Sequence, residues 1–515
     1  MKLDFPAALS SANEVLSFNN QHDGALYLKS KILFDQGNFL ESSQFLIKAG
    51  EADPNNPYLA SEIAYMYSTL GQYNKAAETY EALIKKYPFE TMNYYGAFEN
   101  YLKTKNYKAA EKIISIQENQ FGKTIETVLN LYSTKIDQKD YKRAIQILET
   151  GLESFPDEPQ LLANLVDLYF QQKDQDKAIP MLEKLCKADP NNGLAKYIYG
   201  DYLINIGKAD DGEALWAEAI LLEGLNSAQK SEILNLFQKK HACAESNRTL
   251  FQSYVQNYPN EISGRTVLGN FYYTCNDPEN AAIQYKEALR IRPEEYSIWK
   301  QLLIIHFKEE QWDSLNLLSS KCISLFPVQP LPQLTLAAAL NKKGMFTDAK
   351  EAIEAGQALL LENDPMISAE FLLQSGILSI GENNFKSAKT CFLKALSLQP
   401  NNVEMIAEIA KEALSAPAIF QFGDSLLTSG LAQEPNNPTL IATKAHAYIL
   451  TNEIPLARIW IEKATINGYP SFKSEELLGD CALKIGDKER AKLYFMNAIS
   501  KGNHSDRIFK KLQTL

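Results

Sequence analysis

The sequence lacks several features that define common protein classes. Its six cysteines form no CxxC pair and its five histidines are scattered, so no pattern for a zinc site is present. The N-terminal segment MKLDFPAALS has no apolar core of a signal peptide, and no apolar run reaches membrane-spanning length. We therefore expect no metal and no membrane span. The cysteines are expected to be buried or half-buried thiols without a disulfide framework: Cys186, Cys243, Cys275, Cys322, Cys391 and Cys481.

The sequence also carries more negative than positive charge, and most catalytic signatures are missing. The formal net charge of −11 argues against binding to nucleic acid, whose phosphates are neutralised by Lys and Arg. No phosphate-binding loop, dinucleotide glycine pattern or His-Glu-x-x-His motif occurs. One stretch, FGDSLLTSG at 422–430, spells the Gly-Asp-Ser-Leu block of a family of esterases, which makes Ser425 a candidate nucleophile.

What the sequence does contain is a helix-breaking residue at nearly constant spacing. Its 515 residues are too many for one compact core, so several domains or a repeat array are expected. Proline or glycine recurs every 34 or 35 residues along most of the chain, and each marks the end of a helix. The series is Pro54, Pro88, Gly122, Pro156, Pro190, Gly224, Pro259, Pro293 and Pro327, with Pro400 and Pro435 later in the chain.

Between two breakers the pattern has two helical halves. In 57–88, Tyr58, Ile63, Tyr67 and Leu70 recur at helical spacing until Gly71. A second apolar stripe follows in 76–84. Each unit is thus predicted to be a helix, a tight turn and an antiparallel helix.

One column of the second helix is small in thirteen of fifteen units. Two helices cross closely only where the contact residue is small, because a larger side chain there would cost about 1–3 kcal/mol. The column is Ala8, Ser42, Ala76, Ala110, Ala144, Ala178, Gly212, Asn247, Ala281, Leu315, Ala349, Ala388, Gly423, Ala457 and Ala491. A second column is large: Tyr80, Leu148, Trp216, Tyr285, Phe392 and Phe495.

These columns resemble the tetratricopeptide repeat family. Residues 266–293 carry the family's residues in order: Leu268, Gly269, Tyr272, Ala281, Tyr285, Ala288 and Pro293. Residues 476–500 carry Leu478, Gly479, Gly486, Ala491, Phe495 and Ala498. The resemblance implies an all-α, right-handed superhelical solenoid of about fourteen antiparallel helix pairs.

The spacing also divides the chain. We expect a local change in stacking where it departs from the pattern. The expected segments are a leading half-repeat or N-terminal cap at 1–22, regular repeats at 23–224, a degenerate repeat at 225–260, repeats at 261–402 with a longer link near 357–367, a second degenerate repeat at 403–437, repeats at 438–503 and a C-terminal cap helix at 504–515. Ser505 is the expected N-cap of that last helix, with an apolar stripe of Ile508, Phe509, Leu512 and Leu515; the alternative is a helix offered to a partner.

The repeat register argues against a catalytic role for Ser425. Gly423 occupies the small column, so the Gly-Asp-Ser-Leu block falls within a second helix. An esterase of this type needs its serine at the edge of an α/β sheet and a late Asp-x-x-His, which the C-terminal part lacks. We therefore predict that the protein is not an enzyme.

The resemblance implies a function in protein binding. The concave surface of such repeats, lined by first helices, binds an extended segment or helix of another protein. We predict a non-enzymatic scaffold that needs no cofactor, with a structural subunit of a larger envelope or secretion assembly as the alternative. The regulatory part of an enzyme whose catalytic domain is absent is a third reading. The candidate partner-binding residues are Tyr58, Glu62, Tyr65, Tyr95, Glu99, Asp167, Tyr197, Asp201, Asn270 and Tyr273.

Two more specific readings of the family are disfavoured. A clamp for a C-terminal carboxylate needs Lys, Asn and Arg at matched positions, and only Asn270 fits, with Thr266 in place of the Lys. An RNA-binding superhelix of pentatricopeptide type disagrees with the acidic charge and the alanine column. The compartment stays unknown: the chain reads as soluble, cytoplasmic by default and periplasmic if an N-terminal leader has been removed.

Overall fold

The computed structural model describes residues 5–240, 242–360 and 364–515, and these are predominantly helical. No strand occurs within these ranges, so the predicted all-α class of paired helices is confirmed. The chain separates into two compact units, Met1–Asn226 (unit 1) and Ser227–Leu515 (unit 2). The boundary falls inside the segment 225–260, where a change in stacking was expected.

Unit 1 contains one leading helix and, over residues 5–226, six helix pairs. The two helices of each pair contact each other and are joined by a short turn, which makes them antiparallel. The helices are α1 (Phe5–Phe18), α2 (Asp23–Asp35), α3 (Phe39–Ala52), α4 (Pro57–Thr69), α5 (Tyr73–Lys86), α6 (Thr91–Lys103), α7 (Tyr107–Phe121), α8 (Ile125–Asp137), α9 (Tyr141–Ser154), α10 (Pro159–Gln171), α11 (Gln175–Ala188), α12 (Gly193–Asn205) and α13 (Ala209–Ala219).

Unit 2 contains eight pairs and a final helix in its described part. Its helices are α14 (Ser227–Lys240), α15 (Glu245–Asn257), α16 (Ile262–Thr274), α17 (Pro278–Ile291), α18 (Tyr296–Lys308), α19 (Trp312–Leu325), α20 (Pro330–Lys343), α21 (Phe346–Ala358), α22 (Pro365–Gly381), α23 (Phe385–Leu398), α24 (Val403–Leu414), α25 (Phe420–Gln433), α26 (Pro438–Leu450), α27 (Ile454–Ile466), α28 (Ser471–Lys484), α29 (Lys488–Ser500) and α30 (Asp506–Gln513). None of the described helices is both long and apolar enough to cross a membrane.

Helix starts follow the Asn, Asp and Pro signals of the sequence. The Asn56 side chain accepts hydrogen bonds from the backbone N–H groups of Tyr58 and Leu59 at 3.1 and 3.4 Å. Asp174 accepts in the same way from Lys177 at 3.3 Å. These side chains satisfy N–H groups that the first turn leaves without a partner.

The turn inside most pairs depends on one residue in the left-handed backbone region. Its φ lies between 52° and 86°. Seven of these twelve residues are not glycine, although most side chains disfavour this conformation. Only five of the twelve turns could therefore be recognised in the sequence by a glycine. The residues are Gly37, Gly71, Lys105, Lys139, Lys173, Gly207, Asn276, Glu310, Gly344, Asn383, Asn452 and Gly486.

The small column lies where it was predicted to lie. All fifteen residues sit on second helices or on α1, and all but the half-buried Ala8 are buried. Asn247 is tolerated because its amide donates a 2.7 Å hydrogen bond to the backbone oxygen of Phe237. Close helix crossing is thus repeated through both units.

The large column fits against glycine in several repeats. A Cβ atom on the glycine would lie only 2.3 to 2.7 Å from the facing ring, closer than real contacts allow. The glycine precedes the ring by sixteen residues, which places it on the first helix of the same pair. These pairs are Gly200 with Trp216, Gly269 with Tyr285, Gly376 with Phe392, and Gly479 with Phe495.

The expectation for the cysteines was wrong at two positions. Cys243 follows α14, Cys275 caps the end of α16, and the two form a disulfide with a Cα–Cα distance of 5.5 Å. They are 32 residues apart, close to the repeat length, so stacking of consecutive first helices brings their ends together. Cys186, Cys322, Cys391 and Cys481 are free thiols, buried or half-buried as expected.

Two irregular segments interrupt the helix pairs of unit 2. In the repeat predicted as degenerate at 403–437, a short 3-10 helix, Pro417–Ile419, lies between α24 and α25. The longer link near 357–367 falls between α21 and α22, and its residues 361–363 lie outside the described residues, as do residues 1–4 of the leading segment. Asp364 caps α22 through a 3.1 Å hydrogen bond from Ile367.

The C-terminal segment forms the expected helix, α30. Ile508 is fully buried, and Leu512 and Leu515 pack beside it against α29. Phe509 departs from the predicted stripe, since 43% of it is exposed. Ser505 is the N-cap residue, but its hydroxyl does not cap the helix and hydrogen-bonds to Asn503 at 2.8 Å.

Candidate partner-binding face

One position of the first helix is accessible throughout unit 1. It recurs every 34 residues and contains four of the predicted binding residues. Each of these side chains is exposed or half-buried, which distinguishes the position from the buried columns that hold the repeats together. The position holds Lys31, Tyr65, Glu99, Ser133, Asp167 and Asp201. We use the name unit-1 first-helix face for the predicted residues Tyr58, Glu62, Tyr65, Tyr95, Glu99, Asp167 and Asp201.

Tyr58 on α4 meets a tyrosine of the preceding repeat. Its hydroxyl lies 2.6 Å from that of Tyr27 on α2, and the two rings meet edge to face with centroids 5.5 Å apart. Tyr58 nevertheless keeps 55% of its surface exposed. The contact holds the ring in place and leaves apolar area open, which suits an anchor for a ligand.

Glu62 on α4 supplies negative charge to the same surface. Its carboxylate lies 3.5 Å from the Nζ atom of Lys31. Burial, the hydrogen bond with Tyr58 and the charge of Glu62 together raise the pKa of Tyr27 above its usual range. Burial and then Glu62 raise the pKa of Tyr80 to about 12. Both phenols thus stay neutral and can donate a hydrogen bond at physiological pH.

Tyr65 and Tyr95 are, together with Tyr58, the most exposed of the predicted aromatic residues. They are 55% and 49% exposed, and they lie on the successive first helices α4 and α6, which contact each other. The ring of Phe34 lies 6.4 Å from that of Tyr65. The face therefore presents exposed rings on neighbouring helices.

Further along the same face the side chains are acidic. Burial raises the pKa of Asp167, and among the described residues no cation forms an ion pair with it. The carboxylate of Asp201 accepts a 3.1 Å hydrogen bond from Asn205 on its own helix. An exposed carboxylate that forms no ion pair is open to a positively charged ligand.

Tyr197, also predicted for partner binding, has a different environment. Its ring stacks on Trp216 with centroids 5.7 Å apart and an angle of 20° between the planes. The indole N–H of Trp216 donates to the backbone oxygen of Tyr197 at 3.0 Å. The structure therefore places this side chain in the packing between α12 and α13.

The two predicted residues in unit 2 also contact neighbouring side chains. Asn270 accepts a 2.5 Å hydrogen bond from the hydroxyl of Tyr285 in the same helix pair. Lys308, on the next first helix, donates to the hydroxyl of Tyr273 at 3.1 Å. Asn270 and Tyr273 belong to unit 2 and are not counted with the unit-1 first-helix face.

Some residues of the surface were missed from the sequence. Tyr27, Lys31 and Phe34 on α2 contact the predicted residues of α4. The signal was available, because Lys31 precedes Tyr65 by one repeat length. The charged residues inside unit 2, such as Glu310 and Arg507, were also missed, since no periodic position marks them.

Ser425 lies where the repeat register placed it. It is an exposed residue of α25, on the helix that carries the buried Gly423. No strand occurs in the described residues, so the sheet edge that a Gly-Asp-Ser-Leu esterase needs is not found there. The motif is part of a repeat helix.

Comparison with known proteins supports the repeat assignment. Models of the tetratricopeptide repeat match residues 62–89, 135–199, 263–295 and 369–402. No curated protein matches the sequence.

Three solved structures match the chain at low sequence identity. The Cut9–Hcn1 hetero-tetramer of APC/C matches with 15% identity and a TM-score of 0.33, over 89% of this chain and 96% of that chain. Naa15/Naa10 bound to HypK-THB matches with 13% identity and a TM-score of 0.35, over 100% and 89%. A tetratricopeptide repeat protein from Parabacteroides merdae matches with 19% identity and a TM-score of 0.28, over 45% and 92%.

The assignment rests on the repeat geometry and the four matched stretches. The helix pairs, the buried small column and the glycine–aromatic contacts all follow the repeat seen in the sequence. Repeats of this kind support a role as a protein-interaction scaffold. The matched stretches and the repeat geometry together support a protein of the tetratricopeptide repeat family.

Proposed function

We propose that this protein is a non-enzymatic interaction scaffold and that its unit-1 first-helix face binds an extended, basic segment of a partner protein. The observation that carries the proposal is the accessible column with Tyr65, Glu99, Asp167 and Asp201 at one position of successive first helices. A periodic, rigid surface of this kind offers many contacts and loses little freedom on binding.

The spacing of the helices suits an extended ligand. Neighbouring packed helices lie about 10 Å apart, and an extended chain advances about 3.3 Å per residue. One repeat therefore meets about three residues of the ligand. Side chains of the ligand at that interval would meet Tyr65, Glu99 and the later positions in turn.

The chemistry of the face favours Lys or Arg in the ligand. Glu99, Asp167 and Asp201 supply negative charge, and Tyr58, Tyr65 and Tyr95 supply exposed rings for cation–π contacts. The net charge of −11 also attracts positively charged ligands at long range and so speeds their encounter with the protein. Because negative charge repels phosphate groups, the ligand is a protein segment rather than a nucleic acid.

The test is quantitative affinity purification with the intact chain. The variant Tyr58→Ala/Tyr65→Ala/Tyr95→Ala removes three exposed rings and leaves the buried columns intact. We expect it to lose the specific partners of the wild-type chain. The variant Asp167→Asn/Asp201→Asn should weaken capture mainly at low salt, where charge attraction is least screened.

A matched control removes exposed aromatic rings outside the first helices. Phe89, in the turn before α6, and Tyr141, at the start of α9, are 75% and 37% exposed. Phe89→Ala/Tyr141→Ala should retain the partners. Equal recovery by all variants, or equal loss in all of them, would reject the proposed face. Ser425→Ala should change neither recovery nor any hydrolysis measured with purified protein.

A second function has one observation in its favour. The second helices α27 and α29 expose apolar side chains, with Ile459 60%, Ile466 78%, Leu493 58% and Met496 55% exposed. Exposed apolar side chains on neighbouring repeats are typical of an interface in a constitutive assembly. A fixed complex that dissociates on Ile459→Lys/Leu493→Lys, with unit-1 variants unaffected, would favour this alternative.

A further inference from the structure

The last helix of the chain has two different sides. On one side, Ile508 is fully buried and Leu512 packs beside it against the final helix pair. On the other side, α30 carries Arg507 and Lys511, one helical turn apart. The apolar side is short, because Phe509 remains 43% exposed. The charged side of α30 adds ion pairs to this apolar contact.

The charged side is seated on the first helix of the final pair. The guanidinium of Arg507 donates to Oε2 of Glu476 on α28 at 3.0 Å, and its Nε lies 2.8 Å from Oε1. Lys511 lies 2.8 Å from Glu476 and 2.6 Å from Asp480. Burial alone would raise the pKa of Glu476, but Arg507 and Lys511 outweigh it and lower this pKa to about 2.

The N-terminal end of α30 reaches residues almost 200 positions earlier in the chain. Asp506 accepts a 2.9 Å hydrogen bond from the backbone of Asp313, and its own N–H donates to the carbonyl of Glu310 at 3.3 Å. Arg507 lies 3.5 Å from the Glu310 carboxylate, and His504 lies 3.6 Å from Glu279. The helix therefore joins the turn between α18 and α19 to α28, within unit 2.

The charge pattern continues into a cavity beside α30. Lys411 on α24 lies 3.8 Å from Glu310 and 3.6 Å from Glu408. The cavity measures about 1170 Å³, and first helices of unit 2 from α18 to α28 supply much of its lining. Glu370 in its wall pairs with no cation among the described residues, and burial and Glu408 raise its pKa. The space beyond α30 thus has room and a carboxylate for a further positive group.

We propose that the interior of unit 2 is a docking site for a basic, amphipathic helix of a partner protein, and that α30 occupies this site within the free chain. The partner helix carries two cations one turn apart, which take the places of Arg507 and Lys511 on Glu476 and Asp480. It binds by displacing α30 from its contacts with Glu476 and Asp480.

The seat of α30 defines the chemistry of the ligand. Two cations at i and i+4 match the carboxylates of α28, and an apolar residue between them replaces Ile508. A longer basic helix would also extend toward Glu370. This site lies in unit 2 and involves none of the unit-1 first-helix face, so it holds or fails independently of the function proposed above.

The experiment uses the full chain with α30 expelled. Arg507→Glu/Lys511→Glu places negative charge against Glu476 and Asp480. The probe is a fluorescent synthetic peptide of residues 504–515, titrated by anisotropy. Binding to the variant should exceed binding to the wild-type chain about a hundredfold, if the docked helix leaves the site open about 1% of the time.

Two controls separate this result from general charge attraction. Arg490→Glu/Lys492→Glu on α29 makes the same change of net charge at exposed positions, and it should bind the peptide no better than the wild type. A peptide with Glu in place of both cations should not bind the expelled variant. Equal binding of the peptide by all three proteins would overturn the proposal.

Hydrogen exchange shows whether the final repeat stays folded in the expelled variant. In the expelled variant, amides of α30 should exchange fast while those of α28 and α29 stay protected; failure of the peptide to bind that protein would overturn the proposal. If α28 and α29 also lose protection, the test is made on the wild-type chain instead. An excess of isotopically labelled peptide should then speed exchange in α30 of the wild type, and unchanged exchange would overturn the proposal.

Discussion

Gly479→Ala tests the packing rule that repeats through the chain. Gly479 lies on α28 and faces Phe495 of α29, which is fully buried. An added Cβ would lie 2.3 Å from Cε1 of the ring, 2.6 Å from Cδ1 and 3.0 Å from Cζ. The ring has no solvent to move into, so the helices must separate or the ring must leave its rotamer.

The magnitude follows from two opposing effects. Overpacking a filled core costs about 1–3 kcal/mol. Alanine in place of glycine inside a helix stabilises the helix by about 0.5–1 kcal/mol. Because the added Cβ would lie far inside contact distance, the upper part of the overpacking range applies, and we expect a net loss of about 1–2.5 kcal/mol in the local stability of the α28–α29 pair. The control is Gly24→Ala on α2, where the nearest atoms to the added Cβ are those of His22 at 3.5 and 3.7 Å. It should be neutral or stabilising.

The assay must be local, because a long repeat array does not unfold as one two-state unit. Native-state hydrogen exchange reports the free energy of opening for the amides of α28 and α29. Combining Gly479→Ala with Phe495→Leu removes the clash, so the double variant should lose less stability than the sum of the single variants by at least about 0.5 kcal/mol. Unchanged or increased protection in Gly479→Ala, or strict additivity, would refute the reasoning.

Three further predictions concern other features of the two units. Ala281→Leu in the small column should lower the local stability of its repeat by about 1–3 kcal/mol, measured by the same exchange experiment. Cys243→Ser should remove the bridge to Cys275 and lower stability by about 2–4 kcal/mol under oxidising conditions, and thiol counting by mass spectrometry on the wild type would contradict the bridge if it found six free thiols. Burial, Lys411 and neighbouring cations lower the pKa of His446 from 6.5 to about 4, so the unfolded chain takes up the proton first as the pH falls through that window and stability declines. His446→Gln should flatten this decline in the local stability of α26, measured by native-state hydrogen exchange between pH 6.5 and 4, and an unchanged pH profile would contradict the assignment.

The repeating part of the fold could be predicted because it is local and periodic. A helix pair, its small contact residue and its terminating proline all recur at one spacing, so each copy strengthens the interpretation of the others. The buried Ala76, Ala281 and Ala491 lie where that reasoning placed them. Three of the first-helix residues named from the same register, Tyr58, Tyr65 and Tyr95, have exposed side chains.

Other features lacked such a signal. The turns at Lys105 and Lys139 adopt the left-handed backbone with residues that give no turn signal of their own. The disulfide between Cys243 and Cys275 can be predicted from the sequence only if the spacing of the cysteines is compared with the repeat length. The contact of Arg507 with Glu310 joins distant parts of the chain, and only the accumulated geometry of several repeats brings them together.

Site-specific photo-crosslinking tests most directly which surface binds the partner. A benzoylphenylalanine introduced at Tyr65 or Tyr95 on the unit-1 first-helix face, or at Tyr141 on a second helix as the control, would capture a partner in cells that contain it. The account predicts discrete adducts from positions 65 and 95 and none from position 141. Adducts from position 141, with none from 65 or 95, would contradict it.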